Sequence, residues 1–286
     1  MLSSMQTKVF KTDGRRLFYH DEGSGRAVLI LHGADLHIPG SWDKAVEALL
    51  EAGYRVVFPY RAGRGQSDPH PVFLSLARDA RDMWAIVDHL DLGRVTLIGH
   101  SQGACVASDM VLKRPQDVAG VVSEDSASFG TVRNAIRNLK TLERFDAEDR
   151  TLYDKYKSTL TFLGTPWDYP SDHNVWRKLM RRAGRRADDE WKTQQIPDPE
   201  DAPIPSEGKW CNAPLLVFAA GRGRIRQNDP EAVALEKSLP AKDAKLVVVT
   251  KSGHGIHEEQ PEIFNHETLA FLEKIGSGAG KKDDMK

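Results

Sequence analysis

A run of consecutive apolar residues is stable as a strand only where both faces of its sheet are covered, and this chain carries several such runs. Ala27-Val28-Leu29-Ile30-Leu31 contains no polar residue, and Val95-Thr96-Leu97-Ile98, 118–123, 213–220 and 245–250 are of the same kind. Between them lie stretches with helical spacing, at about 42–52, 73–90, 101–114, 230–239 and 261–275. Gly53 is placed to cap the first of these helices, and Pro115 closes the third. Strand–helix alternation of this kind predicts an α/β fold with a mainly parallel, doubly wound sheet. Two short segments, 8–12 and 15–20, flank Asp13-Gly14, a dipeptide that favours a tight hairpin. A further strand is predicted at 54–58, followed by a loop containing Gly63 and Gly65.

The alternation stops near Ala127. From there to Lys209 the sequence is helical, charged and aromatic, and it ends in a proline-rich stretch at 196–205. An insertion between two strands predicts a helical lid over the strand ends, where open α/β sheets bind ligands. The expected organisation is a core of residues 1–126 and 211–275, a lid of 127–210 and a disordered tail of 276–286. Phe129, Phe162, Trp167, Tyr169, Trp176 and Trp191 are the lid's aromatic residues of interest. Trp167 and Trp176 flank a loop with Pro170, Asp172 and Asn174, which makes them the choice for pocket walls. The arginines at 177, 181 and 185 share a helix face and precede Asp188-Asp189-Glu190, the pattern of a solvated, self-paired surface.

Charge excludes some classes of partner. With 40 basic and 41 acidic residues the net charge is −1, which gives no basis for binding nucleic acid or an anionic membrane. Two cysteines, Cys105 and Cys211, cannot form a disulfide framework, and both are expected to be buried free thiols. The first residues lack a basic region followed by an apolar core, and no apolar run is long enough to span a bilayer. The expectation is a cytoplasmic protein acting on a small molecule.

The chemistry centres on Gly99-His100-Ser101-Gln102-Gly103, which joins a buried strand directly to a helix. Gly-x-Ser-x-Gly in that context is a nucleophile elbow. The sharp turn exposes Ser101 at a helix N-terminus, and small residues on either side let neighbouring backbone approach. A serine hydroxyl needs a base, and Ser252-Gly253-His254 follows the last strand.

These features resemble the α/β-hydrolase superfamily, over nearly everything from Lys8 to Ile275. His32-Gly33 is similar to that family's oxyanion loop, and the resemblance implies that the backbone amides of Ala34 and Gln102 hold the oxyanion, with Gly33 lining the pocket. His32 itself is read as a hydrogen-bonded structural residue. The loop from Tyr60 to Ser67 is similar to the family's Asp-x-Arg-Gly-x-Gly-x-Ser loop but departs at Tyr60 and Ala62. That loop is structural in the family, so the departure is expected to leave the chemistry untouched. His254 with Glu259-Gln260-Pro261-Glu262 is similar to the family's histidine loop, which implies that His254 is the base. His257 is the rival, in a position the family often fills with a second, non-catalytic histidine. A metal site built from His254, His257 and Glu258 lacks a supported ligand set, and no metal or cofactor is expected.

The third triad member departs from the usual pattern. The turn where most members place it reads Gly221-Arg222-Gly223-Arg224 and holds no carboxylate. Haloalkane dehalogenases and zearalenone lactone hydrolases carry the acid after the preceding strand, 24 residues past the nucleophile; here that position is Asp125. Glu124 and Asp229 remain alternatives, Asp229 also being placed to cap a helix.

The resemblance implies a serine hydrolase cleaving an ester or lactone of a small, largely apolar molecule. A C–C bond hydrolase, a cofactor-free perhydrolase and a weakly catalytic ligand receptor of the same fold are alternatives.

Overall fold

Successive side chains of a strand point to opposite faces, and in the central strands of this protein both faces are buried. The computed structural model describes residues 5–33, 40–68, 76–126, 208–221 and 226–283. In chain order the elements are β1 (Lys8–Thr12), β2 (Arg15–Glu22), β3 (Ala27–Leu31), α1 (Asp43–Glu51), β4 (Arg55–Pro59), α2 (Leu76–His89), β5 (Val95–His100) and α3 (Gln102–Lys113). After a 3-10 turn at Pro115–Asp117 come β6 (Val118–Glu124), β7 (Leu215–Ala220), α4 (Pro230–Ser238), β8 (Ala244–Val249), α5 (Ile256–Glu259) and α6 (Pro261–Asp283). The described strands form one eight-stranded sheet ordered β1-β2-β4-β3-β5-β6-β7-β8. β1 and β2 pair antiparallel, as do β2 and β4, and every later pairing is parallel.

Period-two geometry divides the apolar runs between two cores. Leu29, Leu31, Leu97, Val121, Leu215 and Val217 pack with Met83, Ile86, Val106 and Met110 of α2 and α3. Their neighbours Val28, Ile30, Ile98, Val122, Leu216 and Phe218 face the other way, towards Val46 and Leu49 of α1 and Phe264 and Leu272 of α6. Each such side chain contributes about 1.5–3 kcal/mol through burial, which favours the apolar residues that dominate both faces of these strands. The Asp13-Gly14 turn has φ values of 47° and 74°, the left-handed pair required by a two-residue hairpin.

Two expectations are corrected. The last helix continues to Asp283, so residues 276–283 are helical where a disordered tail was expected. Arg26 crosses this helix at Gly276, where an added Cβ would overlap its guanidinium. The same guanidinium donates to Leu272 O (3.0 Å) and Tyr54 Oη (2.9 Å), tying the helix to Tyr54 one turn before Gly276. Cys211 is buried, but Cys105 is only half-buried; it lies on α3 with its Sγ 3.7 Å from Ser126 Oγ. The expected lid falls almost wholly on residues 127–207, outside the described residues.

The sheet ends at β8, whose outer backbone groups are bonded by side chains. Leu246 N donates to Glu236 Oε1 (2.9 Å), Val248 N to Gln227 Oε1 (2.7 Å), and Gln227 Nε2 to Leu246 O (2.8 Å). No helix among the described residues is long and apolar enough to cross a membrane.

The packing of α3 on the sheet rests on a glycine. A Cβ at Gly103 would lie 2.0 Å from Leu31 O and 2.6 Å from His32 O. Gly103→Ala is expected to lower unfolding free energy by about 1–3 kcal/mol. Gly14→Asn is the control, since nothing lies within 4 Å of its Cβ position and asparagine tolerates positive φ. Urea unfolding of both variants checks the contrast; equal midpoints would contradict it.

Candidate active site

The geometry of the site begins with the ladder between β5 and β6. Their register pairs Gly99 with Ser123 and His100 with Glu124, each partner 24 residues on. The next residue of each strand, Ser101 and Asp125, therefore leaves the sheet at the same level. Ser101 N donates to Glu124 O (2.9 Å) and Asp125 N to Phe218 O (2.9 Å). Both residues adopt positive φ, 52° at Ser101 and 41° at Asp125. Such backbone strain costs on the order of 1–3 kcal/mol per residue and persists only where neighbours enforce it. Gly99 provides part of that enforcement, because a Cβ there would lie 2.6 Å from Ala104 Cα.

His254 arrives from the loop after β8. Gly253 N donates to Glu259 Oε2 (2.8 Å), which ties the loop to α5. His254 Nδ1 meets Asp125 Oδ2 at 2.7 Å, with both side chains largely buried. An ionised carboxylate only accepts, so Nδ1 carries the proton and Nε2 is the basic nitrogen. The other carboxylate oxygen, Oδ1, accepts from Ala220 N (3.1 Å). Here the end of β7, near where most superfamily members place their acid, supplies a backbone amide to Asp125.

Glu124 and His257, the alternatives for acid and base, are paired with each other. Glu124 is fully buried; it accepts from His257 N (2.8 Å) and lies 2.8 Å from His257 Nδ1 through Oε2. Burial alone would raise the Glu124 carboxyl, but His257 and His100 beside it together outweigh that and hold the group below the usual carboxylate range. Trp42 stacks on the His257 ring at 3.8 Å, sealing the pair from water. Asp229 is apart from both histidines' partners, its Oδ2 accepting from Arg226 N at 2.8 Å.

The oxyanion side is partly described. Gly33 lies against the elbow, since a Cβ there would be 3.4 Å from Ser101 Cβ and 2.9 Å from His100 Nδ1. Gln102 opens α3. His32 is a structural residue, its Nδ1 donating to Gly33 O (2.9 Å) and its Nε2 accepting from Arg61 N (3.1 Å). Ala34, Trp167 and Trp176 lie outside the described residues, as does the 222–225 stretch of the turn without a carboxylate. Among the described residues no group of three or more His, Cys, Asp or Glu side chains is placed to hold a metal.

Two side chains at the site go unread in the sequence. His100 donates from Nε2 to His254 O (3.0 Å), joining the elbow to the histidine loop. Arg61, in the loop read as purely structural, reaches Gly33 O and Gln102 Oε1 from beneath. Its position within a departing motif was the available signal, but a contact so distant in sequence leaves no local pattern.

Comparison with known proteins identifies the fold family. Residues 26–261 match the family model described as the alpha/beta hydrolase fold. A 2-hydroxy-6-oxononadienedioate/2-hydroxy-6-oxononatrienedioate hydrolase of Paraburkholderia xenovorans is 26% identical over 281 residues, covering 94% of this chain and 95% of that one. A non-heme haloperoxidase of Rhodococcus erythropolis is 38% identical over 95 residues, 33% of this chain and 34% of its own. Among solved structures, Est816, described as an N-acyl homoserine lactone degrading enzyme, superposes with a TM-score of 0.63 at 20% identity, covering 92% of this chain and all of that chain. At that identity the likeness is one of fold.

Burial gives the site a pH signature. Desolvation pushes the His100 imidazole down to about 3, against about 6.5 in the unfolded chain. Between those values the unfolded state binds a proton that the folded state does not, so stability falls as pH drops through this window. The slope is up to about 1.4 kcal/mol per pH unit for one proton. His100→Gln is expected to show a shallower loss from pH 6.5 towards 3, by about one proton. Urea midpoints measured across that range decide the matter, and parallel curves for the two proteins would contradict the assignment.

Proposed function

The chain belongs to the α/β-hydrolase fold family, and from that premise we propose that it is a serine hydrolase acting on a carboxylic ester or lactone of a small, largely apolar molecule. The observation that carries the reading is the 2.7 Å contact of Asp125 with His254 Nδ1 beside a strained Ser101. In this mechanism Ser101 Oγ attacks the carbonyl carbon while His254 Nε2 takes its proton. The backbone amides of Ala34 and Gln102 receive the developing oxyanion, each donor being worth about 3 kcal/mol of barrier. Collapse of the tetrahedral intermediate breaks the C–O bond, and the leaving oxygen takes the proton from His254. Water then attacks the acyl-enzyme, passes a proton to His254 and releases the acid, and that proton returns to Ser101. Asp125 remains ionised throughout, orienting the imidazole and stabilising its cation. The mechanism requires no cofactor.

Hydrolysis of a C–C bond beside a carbonyl is the second reading, favoured by the Paraburkholderia xenovorans relative that matches 94% of this chain.

A fluorophosphonate, read by intact mass, tests the nucleophile: Ser101 Oγ bonds to phosphorus as fluoride leaves. One adduct is expected on the wild type and none on Ser101→Ala; an unlabelled, folded wild type would sink the reading. Asp125→Asn is expected to lower kcat for an aryl ester by up to about 10⁴-fold with the fold intact by circular dichroism. Near-wild-type turnover in that variant would remove Asp125 from the mechanism. Comparing turnover of an aryl ester with that of a 2-hydroxy-6-oxo-dienoate separates the two substrate readings.

A further inference from the structure

A buried arginine costs several kcal/mol unless its donors are matched, and Arg61 is 2% exposed. Nη1 donates to Asp79 Oδ2 (2.7 Å), which neutralises the charge. Nη2 spends its hydrogens on Gly33 O (2.6 Å) and Gln102 Oε1 (2.8 Å). The backbone N of the same residue donates to His32 Nε2 (3.1 Å), so the proton of His32 sits on Nδ1, from which it too donates to Gly33 O (2.9 Å). Both lone pairs of the Gly33 carbonyl are thereby occupied by donors that Arg61 supplies or orients. Nε is buried without a partner among the described residues, a penalty that space-filling by an apolar side chain would avoid.

Gly33 and Gln102 come from different parts of the chain, the loop that follows β3 and the start of α3. A peptide's carbonyl and the amide that follows it are coplanar and point in opposite directions, so a donor that fixes the one fixes the other. We propose that Arg61 is a positioning residue for the oxyanion side of the site, clamping the Gly33 carbonyl, and with it the plane of that peptide, to the Gln102 side chain at the start of the helix that follows Ser101. This rests on the serine-hydrolase reading. It gives the departing loop a part in the chemistry, because catalytic donors lose effect when their support is loose by about 0.5 Å. The effect falls on the tetrahedral state, where the oxyanion exists, and spares binding of the ground-state carbonyl.

Arg61→Lys keeps a countercharge for Asp79 but cannot reach three acceptors in a planar fork; Arg61→Met removes both charge and donors. In each folded variant the rate of phosphonylation by the fluorophosphonate and kcat for an aryl ester are expected to fall about 10–100-fold. The inhibition constant of phenylboronic acid, which forms a tetrahedral adduct on serine, is expected to rise by a similar factor, while KM stays within about threefold. A purely structural role would lower the melting temperature without moving boronate affinity in the folded fraction. Phosphonylation and boronate inhibition within twofold of wild type in either folded variant overturn the inference and leave the serine-hydrolase reading standing. A wild type that fails to react with the fluorophosphonate overturns both.

Discussion

Parallel pairing of β5 with β6 is the constraint on which the site depends. Backbone hydrogen bonds lock the two strands in a register that pairs residues 24 positions apart, and both strands end at the same level. A serine and an aspartate placed one residue beyond that level stand side by side without any loop having to find its place. The histidine must then come from elsewhere, and it is delivered by a loop that Glu259, His100 and Glu124 fasten to the sheet. A slip of one residue in this register would turn Asp125 to the opposite face.

Below the reacting groups lies a layer of polar side chains in a region that would otherwise be hydrocarbon. Glu124 with His257 and Arg61 with Asp79 are buried pairs, and pairs of this type add little to stability over an apolar replacement. Both sit directly against the elbow, the histidine loop or Gly33, and His257 also packs on Trp42 and Phe264 of the second apolar core. Their worth is geometric: directional bonds hold a backbone in place where apolar packing, being non-directional, would allow it to shift.

Much of this was legible in the sequence because it is local or periodic. The strand runs announced themselves by continuous apolarity, the hairpin by Asp13-Gly14, and the elbow by two glycines whose missing Cβ atoms the backbone requires. Asp125 was legible for a subtler reason, since its spacing from Ser101 is the strand register itself. What stayed hidden depends on contacts between distant residues. Nothing in the sequence links Arg61 to Gly33 or to Gln102, and nothing distinguishes Glu124 from Asp125 until their side chains are seen to meet different histidines. The helical course of residues 276–283 was hidden because the glycines there speak against a helix, while the packing of Arg26 against Gly276 is a contact between residues distant in sequence.

A sheet edge is a template on which another chain can add a strand, whether in an ordered dimer or in an aggregate. On β8 that template is already taken: Glu236 and Gln227 occupy the Leu246 and Val248 amides and the Leu246 carbonyl. A second molecule could extend the sheet there only by displacing two side chains whose bonds are complete. Self-association by edge-to-edge growth is therefore discouraged along this border by residues that take no part in the chemistry.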